Sequence, residues 1–196
     1  MFTVIDTNTL VSQTTAGAPY ANELADLQRP FLGMPDEYVN VTTDSLIIAT
    51  DSPAFIRTGT GNDAIFDNSN VGNTAIDPGS GTNFVQVSSN PFNHDTVVVD
   101  PQSDAPLTDI IAGLKVGDDV VIRSLTALSP DEIANNIVGT LPGLMLTIPV
   151  PATGSAAQIF LSGYFANDLA PGGRLSAGPV VPTNGTSPYL VVHVNS

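Results

Sequence analysis

Residues 58–98 read TGTGNDAIFDNSNVGNTAIDPGSGTNFVQVSSNPFNHDTVV, and a single pattern runs through them. A polar, turn-forming stretch alternates with a short apolar run. Ile47, Ile56, Ile65, Ile76, Val85 and Val97 sit in successive runs, at steps of 9, 9, 11, 9 and 12 residues. The turns between them occupy 58–63, 69–74 and 78–83. A short, nearly fixed period of turn plus strand is the signature of a solenoid, where each unit buries its apolar residue only by stacking on a neighbour. Gly59, Gly61, Gly79 and Gly81 fall where a tight turn needs positive φ or a close backbone approach.

The clearest unit is 58–66, TGTGNDAIF. Unit 78–86, PGSGTNFVQ, carries Asn83 where the first has Asp63. Unit 69–77, SNVGNTAID, follows a two-residue insertion, and 90–98, NPFNHDTVV, keeps Asp95 and the apolar residue but no glycine. These units resemble the nonapeptide GGxGxDxUx of the repeats-in-toxin (RTX) calcium-binding family, where U is a large apolar residue. The resemblance implies a mainly β chain whose repeats form a calcium-binding parallel β-roll, a kind of β-solenoid, with a C-terminal β-rich cap and few short helices. In that architecture two nonapeptides complete one coil. Turns two units apart stack, and an ion sits between them.

Calcium is a hard cation that takes six to eight oxygen ligands, carboxylate and backbone carbonyl together. The resemblance therefore implies Gly59, Gly61, Asp63, Gly79, Gly81, Asn83 and Asp95 as ligand positions. Asp67 and Asp77, just after the strands, are further candidates. One side stacks Ser45, Asp63 and Asn83 at the sixth position, and the other stacks Ala54, Thr74 and Asp95. Each side then has one carboxylate where a full family site has two, so the expectation is one or two weakly held ions. The same residues also suit a stack with no ion, because Gly, Asn and Asp favour tight turns for ordinary reasons. The units from 40 to 57 have the strands without the glycines and read as coils without metal.

Composition narrows the function. The chain has 196 residues, net charge −14, a single lysine (Lys115) and no cysteine. An acidic surface argues against nucleic acid and anionic membrane, whose phosphates want Lys and Arg. It suits divalent cations, and equally plain solubility. Without cysteine there is no disulfide or thiolate site. No run reaches membrane-spanning length, so no membrane insertion is expected. The first residues lack the basic and apolar regions of a signal peptide. Taken bare, that reads as cytosolic. The resemblance instead implies secretion from a Gram-negative cell by the type I route, which reads an uncleaved C-terminal signal, and hence an extracellular or cell-surface location.

The chain divides into 1–39, an extended segment (2–13) and a short helix (19–28) that cover the open end of the stack; 40–100, the repeats; and 101–196, the cap with the secretion signal. Residues 107–122 resemble the D-x-I-x-x-F-x-x-G-x-D phrase that follows the array in many family members, with Leu114 where an aromatic is common. Ser129-Pro130-Asp131-Glu132 reads as a capped helix start, the helix running to about Ile137. Residues 144–148, 157–161 and 189–194 read as strands, and 160–176 resembles the family's closing phrase.

No catalytic set is visible. The sequence has two histidines and no cysteine, and it lacks G-x-S-x-G, H-E-x-x-H, P-loop and dinucleotide motifs. The expectation is a non-enzymatic, calcium-binding structural protein: a self-assembling extracellular subunit of a surface layer, matrix or filament, or an adhesin. Its partners would be further copies of itself, with extracellular polysaccharide or a cell surface as possible contacts. Residues 2–11 could pair with their own chain's sheet or with a neighbour's. The alternatives are a small extracellular enzyme acting on polysaccharide and a particle-surface decoration protein.

Overall fold

A computed structural model describes residues 3–6, 36–39, 44–49, 54–70, 73–101, 107–123, 137–140, 143–150, 155–180 and 189–196. The chain is mainly β, built on two mixed sheets. The eight-stranded sheet runs β1 (Thr3–Asp6), β3 (Ser45–Ala49), β5 (Ala64–Asp67), β7 (Gly81–Gln86), β9 (Leu107–Ala112), β13 (Ser155–Ser162), β12 (Gly143–Val150), β11 (Ile137–Thr140). The seven-stranded sheet runs β2 (Asp36–Val39), β4 (Ala54–Arg57), β6 (Ala75–Asp77), β8 (Thr96–Val99), β10 (Asp119–Ile122), β15 (Tyr189–Val194), β14 (Leu175–Val180). Up to β10, successive strands therefore alternate between sheets, and each pairs in parallel with the strand two before it.

The apolar period explains this arrangement. Ile47, Ile65, Val85 and Ile111 are register partners across the eight-stranded sheet. Ile56, Ile76, Val97 and Val120 form the matching row on the other sheet. All eight residues are at most 1 % exposed. Adjacent strands lie about 4.8 Å apart, so each row stacks side chains one above another. Strands β3, β5 and β9 alternate buried and half-buried residues, whereas β6, β8 and β10 are buried on both faces.

The parallel stacking runs on past residue 100 through β9 and β10, the stretch read from sequence as the start of the cap. The pairing then turns antiparallel. β13 lies parallel to β9, but β12 and β11 follow it antiparallel, and β15 and β14 lie antiparallel on the β10 side. Register fixes this close: Ile111 pairs with Leu161 and Val120 with Val192, so both core rows continue into the cap. Tyr164 Oη donates to Leu114 O at 2.9 Å, and the Arg174 guanidinium holds both Asp168 oxygens at 2.8 and 2.7 Å.

The segment Thr3–Asp6 pairs with Ser45–Ile48 of its own chain. The helix expected at 19–28 lies outside the described residues, as do 129–136 of the second, and Ile137 opens a strand instead. The described helical turn is a 3-10 helix at Ala166–Leu169. Among the described residues no helix is long and apolar enough to cross a membrane.

Candidate functional site

Each chain passage from one sheet to the other makes a corner, and the corners stack into two flanks. One flank holds the turns 58–63 and 78–83 and is called here the glycine corner. The opposite flank holds 68–70, 73–74, 87–95 and 113–118 and is called the lysine corner.

In the glycine corner the two glycine turns lie directly on each other. Ser80 N donates to Gly59 O at 2.8 Å, Gly61 N donates to Ser80 O at 3.2 Å, and Thr60 and Ser80 form a parallel bridge. Glycine is required here by contact. A Cβ on Gly79 would stand 2.2 Å from Gly59 O, and one on Gly81 would stand 1.8 Å from Gly61 O. Both residues also sit at positive φ, +66° and +118°.

The sixth-position residues form an inner column. Ser45 N donates to Asp63 Oδ1 at 2.7 Å, Asp63 N to Asn83 Oδ1 at 3.0 Å, and Asn83 Nδ2 to Asp109 Oδ1 at 3.0 Å. One residue earlier runs an outer column with the opposite sense. Asn62 N donates to Asp44 Oδ1 at 2.9 Å and Thr82 N to Asn62 Oδ1 at 3.0 Å. The inner side chain reaches back to the preceding coil, and the outer side chain reaches forward to the next. Neighbouring coils are therefore bracketed in both directions.

The lysine corner repeats the device. Its inner column joins Thr74 N to Asp95 Oδ1 at 3.0 Å and Asp95 N to Asp118 Oδ1 at 2.8 Å. Its outer column joins His94 N to Asn73 Oδ1 at 2.8 Å. Around it, Ser88 N donates to Asp95 Oδ2 at 3.1 Å and Ser88 Oγ to Ser69 O at 2.8 Å, while Asn93 Nδ2 reaches Ser69 O at 3.2 Å. Lys115 Nζ lies 3.1 Å from Asp95 Oδ2 and 3.0 Å from Asp118 Oδ1.

The sequence-derived ligand positions thus divide between the flanks. Gly59, Gly61, Asp63, Gly79, Gly81 and Asn83 meet in the glycine corner. Asp77 joins them there, accepting Gly79 N at 3.1 Å and pairing with Arg57 Nε at 3.2 Å. Asp95 lies in the lysine corner. Asp67 acts on it there through charge and caps its own turn by accepting Ser69 N at 2.8 Å. Asp44, Asn62, Asn73, Asp109, Lys115 and Asp118 were not singled out from sequence. The signal was present as a polar residue before most of the sixth positions, at Asp44, Asn62, Thr82, Thr108, Asn73 and His94, with Pro53 and Gly117 before Ala54 and Asp118.

Burial shapes the electrostatics. Asp63, Asp95 and Asp118 are at most 3 % exposed. Desolvation raises the Asp63 carboxyl above its ordinary range, opposed in part by Thr58 and Ser45. Desolvation, then repulsion from Asp67, pushes Asp95 up to about 6, with Lys115 pulling the other way. Asp118 is raised chiefly by desolvation as well. Asp63 Oδ2 and Asp67 Oδ2 are among the buried carboxylate oxygens that make no hydrogen bond within 3.5 Å, although the Thr58 side chain is near enough to favour the Asp63 charge. Such a group is costly unless something else satisfies it.

Calcium, which the resemblance implies, fits the glycine corner in part. Asp63 Oδ2 offers a buried anionic oxygen in the turn that carries Gly59 and Gly61, although Gly59 O already accepts from Ser80 N and Gly79 O from Asn83 Nδ2. Asn83 contributes an amide oxygen rather than a second carboxylate. Among the described residues no three His, Cys, Asp or Glu side chains converge as a metal cluster. Comparison with family models, with curated proteins and with solved structures finds no match for this chain.

Proposed function

We propose that the chain is an RTX-like, calcium-binding structural protein, a parallel β-roll closed by an antiparallel cap, acting outside the cell as a subunit of an assembled layer, matrix or filament. The roll reading draws on strands that alternate between two sheets with parallel i, i+2 pairing, and on sixth-position residues that stack on two flanks. The observation that carries the calcium reading is the buried, unpartnered Asp63 Oδ2 beside stacked glycine turns. Calcium there would engage Asp63, Asn83 and turn carbonyls, and its binding would add directly to folding free energy.

Two features favour a subunit over an enzyme. Strands β1 and β2 are the edges of the two sheets at the N-terminal end of the stack, and sheet edges are templates for further pairing. The eight-stranded sheet also carries a register row of Leu46, Ala64, Phe84, Ile110, Phe160 and Met145, each half-buried, on its outer face. Calorimetric titration of the parent and Asp63→Asn, followed by light scattering of the calcium-loaded protein, tests the proposal. Binding heat that Asp63→Asn loses, with particles larger than one chain, supports it. An absence of calcium binding removes the calcium reading, and a monomer at high concentration removes the assembly reading.

A further inference from the structure

The inner columns place carboxylates differently on the two flanks. In the glycine corner the order is Ser45, Asp63, Asn83, Asp109, so no two carboxylates are adjacent. In the lysine corner Asp95 and Asp118 are adjacent, each one residue before the register-paired strands β8 and β10, and both side chains are fully buried. Coils stack about 4.8 Å apart. At that distance, away from water, two like charges repel strongly unless a cation lies between them.

The chain supplies that cation itself. Lys115 Nζ lies 3.1 Å from Asp95 Oδ2 and 3.0 and 3.2 Å from the two Asp118 oxygens. The turn that carries it is closed by the same carboxylate: Lys115 N donates to Asp118 Oδ2 at 2.9 Å, and Asp118 N donates to Lys115 O at 2.9 Å. Gly113 and Gly117 flank the turn at φ +79° and +91°. The turn's own hydrogen bonds thus hold the lysine next to Asp118, and the ammonium belongs to the chain's single lysine.

We propose that Lys115 is the lysine corner's built-in cation, holding the place between Asp95 and Asp118 that a bound metal ion would otherwise take. The inference rests on the roll reading, and it implies that this flank closes without metal. It also implies a latent site. Without the ammonium, the two carboxylates need only close by about half an ångström to reach calcium–oxygen distance, with water completing the shell from the partly exposed lysine side.

The test is thermal unfolding of the full-length parent, Lys115→Met and Lys115→Arg, each in chelator and in millimolar calcium. Lys115→Met should melt well below the parent in chelator and recover most of the loss in calcium. Lys115→Arg should follow the parent in both. Adding Asp118→Asn to Lys115→Met should abolish the calcium gain. Lys115→Met melting like the parent in chelator overturns the proposal, and so does Lys115→Met, folded or not, that gains no more from calcium than the parent gains. The parent's own calcium response reads the glycine corner separately, so a parent indifferent to calcium ends that reading and leaves this one standing.

Discussion

In the glycine corner, Asn83 separates the two buried carboxylates of the inner column, Asp63 and Asp109, and donates its amide to Asp109. In the lysine corner Asp95 and Asp118 are neighbours and share the Lys115 ammonium. Both flanks use the same brackets, with a side-chain oxygen accepting a backbone N–H from the adjacent coil. They differ in how charge is kept apart once those oxygens are buried. On the amide-spaced flank Asp63 Oδ2 is left buried without a hydrogen bond, the feature on which the proposed calcium reading rests. An internal ammonium leaves little for an outside cation to do. On the proposed reading, therefore, ions tune one flank and not the other.

The largest way to break the comparison is Asp95→Ala. It removes the acceptor of Thr74 N and Ser88 N and half of the lysine's partner set. Lys115 keeps Asp118, so the loss comes from the two buried N–H groups left without an acceptor, at about 1–3 kcal/mol each in denaturant unfolding. Asp63→Ala, which strips the acceptor from the Ser45 N–H alone and takes no carboxylate from an ammonium, should cost clearly less. Equal losses would mean that the two corners do not differ in charge.

Acid sharpens the same point. The Asp95 carboxyl is raised from 3.8 to about 6, and Asp63 and Asp118 are raised too. A raised carboxyl binds its proton more tightly in the folded than in the unfolded state. Its contribution to stability is complete below about pH 4 and is lost as pH rises to about 6. Measured in chelator, the melting temperature should fall across that window. A melting temperature that rises there would show that the buried carboxylates are stabilised, rather than strained, by ionisation.

Gly81→Ala tests the close stacking of the glycine corner. Its Cβ would meet Gly61 O at 1.8 Å, so the two turns must part. The expected cost is at least about 2 kcal/mol, from positive φ and backbone contact together. Gly172→Ala is the control: φ is also positive, at +82°, but the space is open, so only the backbone term remains. Asn62→Ala should have the smallest effect. Its bracket to Thr82 N is exposed, and water can replace it at a cost of about 0.5–1 kcal/mol.

The repeat was legible because its signal is local. Ile47, Ile56, Ile65, Ile76, Val85 and Val97, picked out by spacing alone, are all fully buried, and Ser45, Asp63 and Asn83 stack in the expected order. The strands read at 144–148, 157–161 and 189–194 lie within β12, β13 and β15. The continuation of both columns to Asp109 and Asp118 was not legible, because no nonapeptide spans 99–118 and the register there is set by pairing with β7 and β8. The partnership of Lys115 with Asp95 was hidden for the same reason. It joins residues 20 apart through the stacking of coils rather than along a strand.

Residue-resolved amide hydrogen exchange of the parent protein, in chelator and in millimolar calcium, tests the difference between the corners most directly. The expected result is that calcium slows exchange at Asp63, Ser80 and Thr82, while Thr74, Asp95 and Asp119 are already protected in chelator and change little. Protection rising equally on both flanks, or rising in the lysine corner alone, would contradict it.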